Sequence, residues 1–173
     1  MASEGFSGAA SGGQLEEKID LSKEVEQKIL HAKTCADQGQ LKEALALLFA
    51  LEKKCRIGND TPSLVKVCVA SLQYCKDAGD IEDLLTTLQT LCTRRSQKTQ
   101  ALKSMVELAM PWCTEEVHRP LKVLNDTDKE NREKLVVSLR DITDGKMFLE
   151  AERARLTRAL AIIKVRFLPL VSC

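Results

Sequence analysis

CADQGQLKEALALLFAL, residues 35–51, returns forty positions later as CKDAGDIEDLLTTLQTL, residues 75–91. Cys35, Asp37, Gly39, Leu41, Leu45, Leu48 and Leu51 of the first copy become Cys75, Asp77, Gly79, Ile81, Leu85, Leu88 and Leu91 of the second. The apolar positions recur at three and four, which is the period of a helix. Glycine stands between two such runs in both copies, where a left-handed residue ends one helix and lets the chain reverse. The unit is therefore a helix–turn–helix. Such a pair cannot bury its apolar faces alone, so copies stack on one another around a continuous core. The fold class expected is all-α, a right-handed α-solenoid of TPR-like repeats with about seven helices and no sheet. An irregular helical bundle with chance internal similarity is the alternative.

Outward from the repeat, the same periodicity covers most of the chain. Leu41, Ala44, Leu45, Leu48, Leu51 and Cys55 form one stripe, Val65, Cys68, Val69, Leu72 and Cys75 a second, and Leu102, Met105, Val106 and Ala109 a third. Each stripe needs a partner helix to cover it. Thr61 before Pro62 reads as an N-cap with proline at the first helical position, and Thr127 with Glu130 has the spacing of a capping box. That box opens a helix carrying Leu135, Val136, Leu139 and Ile142. Gly145, like Gly39 and Gly79, stands just past a helix as a repeat-turn glycine. Helices are expected near 15–37, 40–56, 62–77, 80–94, 97–112, 127–143 and 146–165. Between Thr114 and Asp126 the pattern fails, with Pro120 and Asn125 inside it, and a long surface connection is expected. Pro111 and Trp112 stand at its start, and packing at a helix end is the simplest role for the tryptophan.

Length and composition agree with one domain: 173 residues, 44% of them hydrophobic, 29% charged and only 3% aromatic, so the core must be aliphatic. Lys and Arg total 26 against 25 Asp and Glu, which leaves no global field to gather nucleic acid or an anionic membrane. Met1 to Gly13 has neither the basic start nor the apolar centre of a secretory signal and reads as a disordered tail. No window approaches the ~20 apolar residues that span a bilayer. Seven cysteines, an odd number without a C-x-x-C pair, are expected to stay reduced in the cytoplasm and nucleus, most of them as small hydrophobes on buried faces.

The signatures of catalysis are missing: no P-loop, dinucleotide-binding glycine pattern, nucleophile elbow or zinc-helix motif occurs. His118 follows Cys113 by five, but one such pair is half of a tetrahedral zinc shell. His31 falls on a charged stretch and is expected to be solvated. Glu150 with Arg153 and Glu152 with Arg155 have helical ion-pair spacing, and such exposed pairs contribute only ~0.2–0.5 kcal/mol. No catalytic, cofactor-binding or metal-binding residue is assigned. Two basic clusters remain: Arg94, Arg95 and Lys98 at a helix junction, and Arg153, Arg155 and Arg158 on the last helix. Arginine near a helix C-terminus complements the dipole, so Arg94 and Arg95 have a structural reason. The functional alternative is an arginine-rich contact surface for an acidic partner. RNA fits less well, because no aromatic residues interleave with these charges.

Specific strings add to the periods. Arg94-Arg95-Ser96-Gln97 followed by Lys103, Met105 and Val106, then Thr143-Asp144-Gly145-Lys146 leading to Glu152-Arg153-Ala154-Arg155-Leu156-Thr157, together with Leu51-Glu52-Lys53, resemble the non-ATPase regulatory subunits of the proteasome lid, within the PCI-domain family. The similarity runs in order from about Val25 to Lys164. It implies a non-catalytic scaffold of the 26S proteasome regulatory particle that supports ubiquitin-dependent degradation, with other lid subunits, the ATPase ring and the core particle as partners and neither nucleic acid nor membrane among them. The resemblance assigns residues 14–164 to the N-terminal helical-repeat portion. Family members continue into more repeats and a PCI domain, whereas here Val165 to Cys173 diverges, so a shortened form with the PCI domain absent is the expectation. A signalosome-type subunit of the same group and a free helical-repeat adaptor for peptides are the alternatives.

Overall fold

A computed structural model describes residues 20–114 and 126–166 of the chain. Seven α-helices follow one another among the described residues: α1 (Ser22–Asp37), α2 (Leu41–Ile57), α3 (Thr61–Ala78), α4 (Ile81–Thr93), α5 (Thr99–Thr114), α6 (Asp126–Thr143) and α7 (Glu150–Arg166). A single 3-10 turn, Met147–Leu149, leads into α7, and no strand occurs among these residues. Helix α1 packs on α2 and α3, α3 on α2, α4 and α5, α5 on α3, α6 and α7, α4 on α6, and α6 on α7. The odd-numbered helices thus form one layer and the even-numbered helices the other, the arrangement of an α-solenoid.

The four apolar stripes become one continuous core that runs from Leu21 to Ile163. Leu48 and Leu88, forty residues apart, are both fully buried, as is Leu91, with Leu51 nearly so. Each such leucine contributes ~1.5–3 kcal/mol on leaving water. The copies differ where their surroundings differ. Cys75 is fully buried on α3, which is covered by α1, α2, α4 and α5, whereas Cys35 is half-buried on α1, the first described helix of the stack. The same central position corrects the second stripe: Val65 and Val69 are only half-buried, while Leu64 and Val67 on the adjoining face are fully buried. A helix with neighbours on several sides buries more than one stripe.

Several starts and ends depart from the sequence reading. The N-cap of α3 is Asp60 rather than Thr61, and its Oδ1 accepts a hydrogen bond from the Ser63 N–H at 3.2 Å. The other carboxylate oxygen accepts from the Leu21 N–H at 2.9 Å, so Asp60 serves two chain segments where a threonine hydroxyl would serve one. Helix α1 starts at Ser22, and residues 15–19, with which it was expected to begin, lie outside the described residues, as do the tail 1–13, most of the 114–126 connection and residues 167–173. Arg166 ends α7, one residue past the expected 165. Helix α5 runs on to Thr114 with Pro111 inside it. Arg132 on α6 reaches the end of α5, where its Nε donates to the Cys113 carbonyl at 2.7 Å, a cation at the negative end of a helix. Trp112 is half-buried with the Lys76 ammonium 5.3 Å from its ring centre, joining α3 to α5. The side chain of Thr127 lies outside the described residues.

Candidate interaction surface

Arg94, Arg95 and Lys98 share the short turn between α4 and α5, yet the structure gives them three different tasks. Arg94 is the C-cap of α4, and its guanidinium faces inward. Its Nε lies 3.9 Å from Glu52 Oε2 on α2, and its carbon centre stands 5.8 Å from the centre of the Phe49 ring. Arg95 contributes its backbone instead: the carbonyl accepts from Arg56 Nη1 at 2.9 Å, which leaves its side chain exposed to solvent. Lys98 is half-buried at the start of α5, where its carbonyl accepts the first helical bond, from the Leu102 N–H at 3.1 Å. A cation at a helix N-terminus opposes the dipole, so local helix energetics do not favour a lysine there.

Glu52 organises this corner and was missed in the sequence. It is fully buried, and its Oε1 accepts from Arg56 Nε at 2.9 Å and from Gln97 Nε2 at 3.3 Å. Gln97 Nε2 also donates to the Leu91 carbonyl at 2.9 Å. A buried carboxylate is tolerated only when it is paired and hydrogen-bonded, and here the partners come from its own helix and from the α4–α5 turn. The signal was present: Glu52 sits four residues after Leu48 on the apolar stripe of α2, with Arg56 four residues further on. An acid inside a buried stripe requires a cation. The strings Leu51-Glu52-Lys53 and Arg94-Arg95-Ser96-Gln97 therefore meet in space although forty residues separate them.

In the second basic cluster one arginine is paired and two are exposed. Arg153 pairs with Asp144 in the turn between α6 and α7, and not with Glu150. Arg155 and Arg158 are exposed further along α7, and no Glu152–Arg155 ion pair forms among the described residues. Gly39, Gly79 and Gly145 all have left-handed backbone, with φ of 81°, 73° and 66°. Two non-glycine residues share that conformation, Asn59 at 55° and Ser96 at 62°.

Chemistry at the thiols is unfavourable. Burial pushes Cys55 up to about 11 and Cys92 and Cys113 up to about 12, and it raises Cys68 and Cys75 as well. These five stay protonated at neutral pH, whereas the nucleophile and the metal ligand is the thiolate. No group of three or more His, Cys, Asp and Glu placed to hold a metal ion occurs among the described residues. His31 is exposed, and His118 and Cys173 lie outside the described residues. No helix among the described residues is long and apolar enough to cross a membrane. What the molecule offers a partner is grooves and turns. A groove of about 540 Å³ between α4 and α6 is lined by Leu85, Gln89, Thr93, Val137, Asp141 and Lys146 among others.

Residues 43–167 match the family described as PSMD12/CSN4, N-terminal. The chain is 34% identical over 145 residues to the 26S proteasome non-ATPase regulatory subunit 12 of Dictyostelium discoideum, covering 84% of this chain and 30% of that protein. It is 34% identical over 128 residues to homolog A of the same subunit in Arabidopsis thaliana, covering 74% of this chain and 27% of the relative. Identity to the 26S proteasome regulatory subunit RPN5 of Saccharomyces cerevisiae is 28% over 127 residues, 73% of this chain and 27% of that one. The chain spans less than a third of the length of these curated relatives.

Proposed function

Because the chain belongs to the PSMD12/CSN4 N-terminal family, we propose that it is a non-catalytic scaffold arm of the 26S proteasome regulatory particle lid, supporting ubiquitin-dependent protein degradation. One observation carries this reading. The matched stretch 43–167 takes in nearly all of α2 and the whole of α3 to α7, helices that share one continuous core. Such a stack holds other proteins at fixed spacing, since its extended faces, turns and grooves are all set by one rigid repeat. The buried charge supports the same conclusion. Glu52 is consumed in joining α2 to the α4–α5 turn and has no access to a substrate.

Other lid subunits, the ATPase ring and the core particle are the partners, and the arm works in the cytoplasm and nucleus. The family description spans proteasome and signalosome proteins alike, while the relatives above carry proteasome names, which favours the lid over the signalosome. The test is affinity purification of the tagged full chain with quantitative mass spectrometry of lid and signalosome subunits. Enrichment of lid subunits supports the proposal. Enrichment of signalosome subunits alone, or of neither set, overturns it.

A further inference from the structure

Successive helices run in opposite directions, so the turns α2–α3, α4–α5 and α6–α7 close the same edge of the stack. The bond from Arg56 Nη1 to the Arg95 carbonyl ties the first two together, and Thr93 and Lys146 line one groove where the second meets the third. This edge has an unusual surface. Six large apolar side chains are exposed among the described residues, and three of them sit in or next to these turns: Ile57, the last residue of α2, at 71%, Met147 at 88% and Phe148 at 42%. The α1–α2 and α3–α4 turns on the opposite edge, residues 38–40 and 79–80, have none.

Charge is equally uneven. Residues 57–60, 94–98 and 144–149 contain Arg94, Arg95, Lys98 and Lys146 against Asp60 and Asp144. Both acids are used inside the chain, Asp60 by the Leu21 and Ser63 N–H groups and Asp144 by Arg153. Two of the cations are used as well, Arg94 at Glu52 and Lys146 at the Ile142 carbonyl. Arg95 and Lys98 remain, with no ion pair among the described residues, and Lys98 stands where the α5 dipole disfavours it. The edge thus presents apolar side chains and two uncommitted cations, the latter on a turn held by Glu52 through Gln97 and Arg94.

We propose that this edge docks an acidic, amphipathic segment of a neighbouring protein, its apolar residues covering Ile57, Met147 and Phe148 and its carboxylates meeting Arg95 and Lys98. The proposal rests on the scaffold reading above and names the chemistry of one partner. Neighbouring helices pack 8–10 Å apart, so three turns make a row of roughly 20 Å, matched by about four turns of a helix. Clustered exposed apolar groups beside charge are the usual mark of a protein contact.

The test uses the full chain and a labelled synthetic peptide with Glu on one helical face and Leu on the other, beside an analogue in which Gln replaces Glu. Fluorescence anisotropy should show saturable binding of the Glu peptide and roughly tenfold weaker binding of the Gln analogue. The pairs Arg95→Glu with Lys98→Glu and Met147→Ser with Phe148→Ser should each weaken binding roughly tenfold, at unchanged helicity and unfolding midpoint. Gln38→Glu with Gln40→Glu, on the opposite edge, should bind as the original does. No binding, equal binding of the Gln analogue, or undiminished binding by either edge pair overturns the proposal. Full displacement of the peptide by a single-stranded oligonucleotide overturns it too, in favour of a polyanion site. Because this measurement needs no particle, a chain that binds the peptide but recovers no lid subunits sinks only the scaffold assignment.

Discussion

At its two described turns on one edge of the stack the chain reverses at Gly39 and Gly79 with almost nothing between the helices, while on the other edge it reverses through Ile57 to Asp60, Arg94 to Lys98 and Asp144 to Leu149. The geometry at the centre of these turns is alike. At Gly39 the Gln40 N–H reaches back to the Cys35 carbonyl at 2.9 Å, and at Asn59 the Asp60 N–H reaches back to the Cys55 carbonyl at 3.0 Å. Both are Schellman closures around a left-handed residue. The residue types differ: glycine on the bare edge, and asparagine, serine and glycine on the other. The described turns of one edge, at Gly39 and Gly79, display no large apolar side chain. Those of the other do, and two of them are tied together by the bond from Arg56 to the Arg95 carbonyl.

If that contrast is real, substitutions at the elaborate edge should have consequences that those at the bare edge lack. The largest is expected for Glu52→Ala. It removes the acceptor shared by Arg56 and Gln97 and the counter-charge of Arg94, and should cost about 3 kcal/mol in urea unfolding, since breaking a buried pair leaves charge uncompensated. Gln40→Ala, at a position whose side chain caps nothing, should change little.

Asp60→Ala comes next, at about 2 kcal/mol, because an N-cap bond and the buried tie to Leu21 go together. The same group makes the edge acid-sensitive. Burial alone would raise its pKa, but the hydrogen bonds from Ser63 and Leu21 outweigh that and hold it below the ordinary carboxylate value. Hydrogen bonds from Lys28 and Lys54 likewise bring Glu24 down to about 2. Both groups bind a proton more readily in the unfolded chain. The stability they supply is complete above the unfolded pKa and drains away as the pH falls from the ordinary carboxylate range toward 2. Denaturant midpoints should fall over that window, and less steeply in Asp60→Asn.

Smaller effects test the turns themselves. Gly79→Ala should cost about 1 kcal/mol from backbone alone, because φ is 73° and an added Cβ meets nothing within 4 Å. Ser96→Gly should have the opposite sign and gain about 0.5 kcal/mol, since Ser96 holds φ of 62° with a side chain present. If both substitutions shift thermal unfolding in the same direction, the two edges do not differ as described.

The fold was largely legible because it depends on spacing. Leu41 to Cys55 and Leu102 to Ala109 read as stripes and are buried as stripes. Helix α3 was read less well, because periodicity reports one buried face while a central helix has several, which is why Leu64 and Val67 escaped notice. The candidate surface was legible only as a list of cations. Sequence placed Arg94, Arg95 and Lys98 together, but their roles depend on Glu52, more than forty residues earlier, and on which edge each turn occupies. Arg153 was assigned to a partner on its own helix when Asp144, across the turn, holds it. Proximity of that kind follows from the stacking of pairs, which no local pattern contains.

Trp112 is the only tryptophan in the chain, and Lys76 stands over its ring. Its emission is therefore a built-in gauge of one junction, that between α3 and α5. In a stack where each unit leans mainly on its neighbours, this junction can part before the whole array melts. Following the indole wavelength alongside far-ultraviolet dichroism during unfolding would show whether the array yields in one step or opens first at that seam.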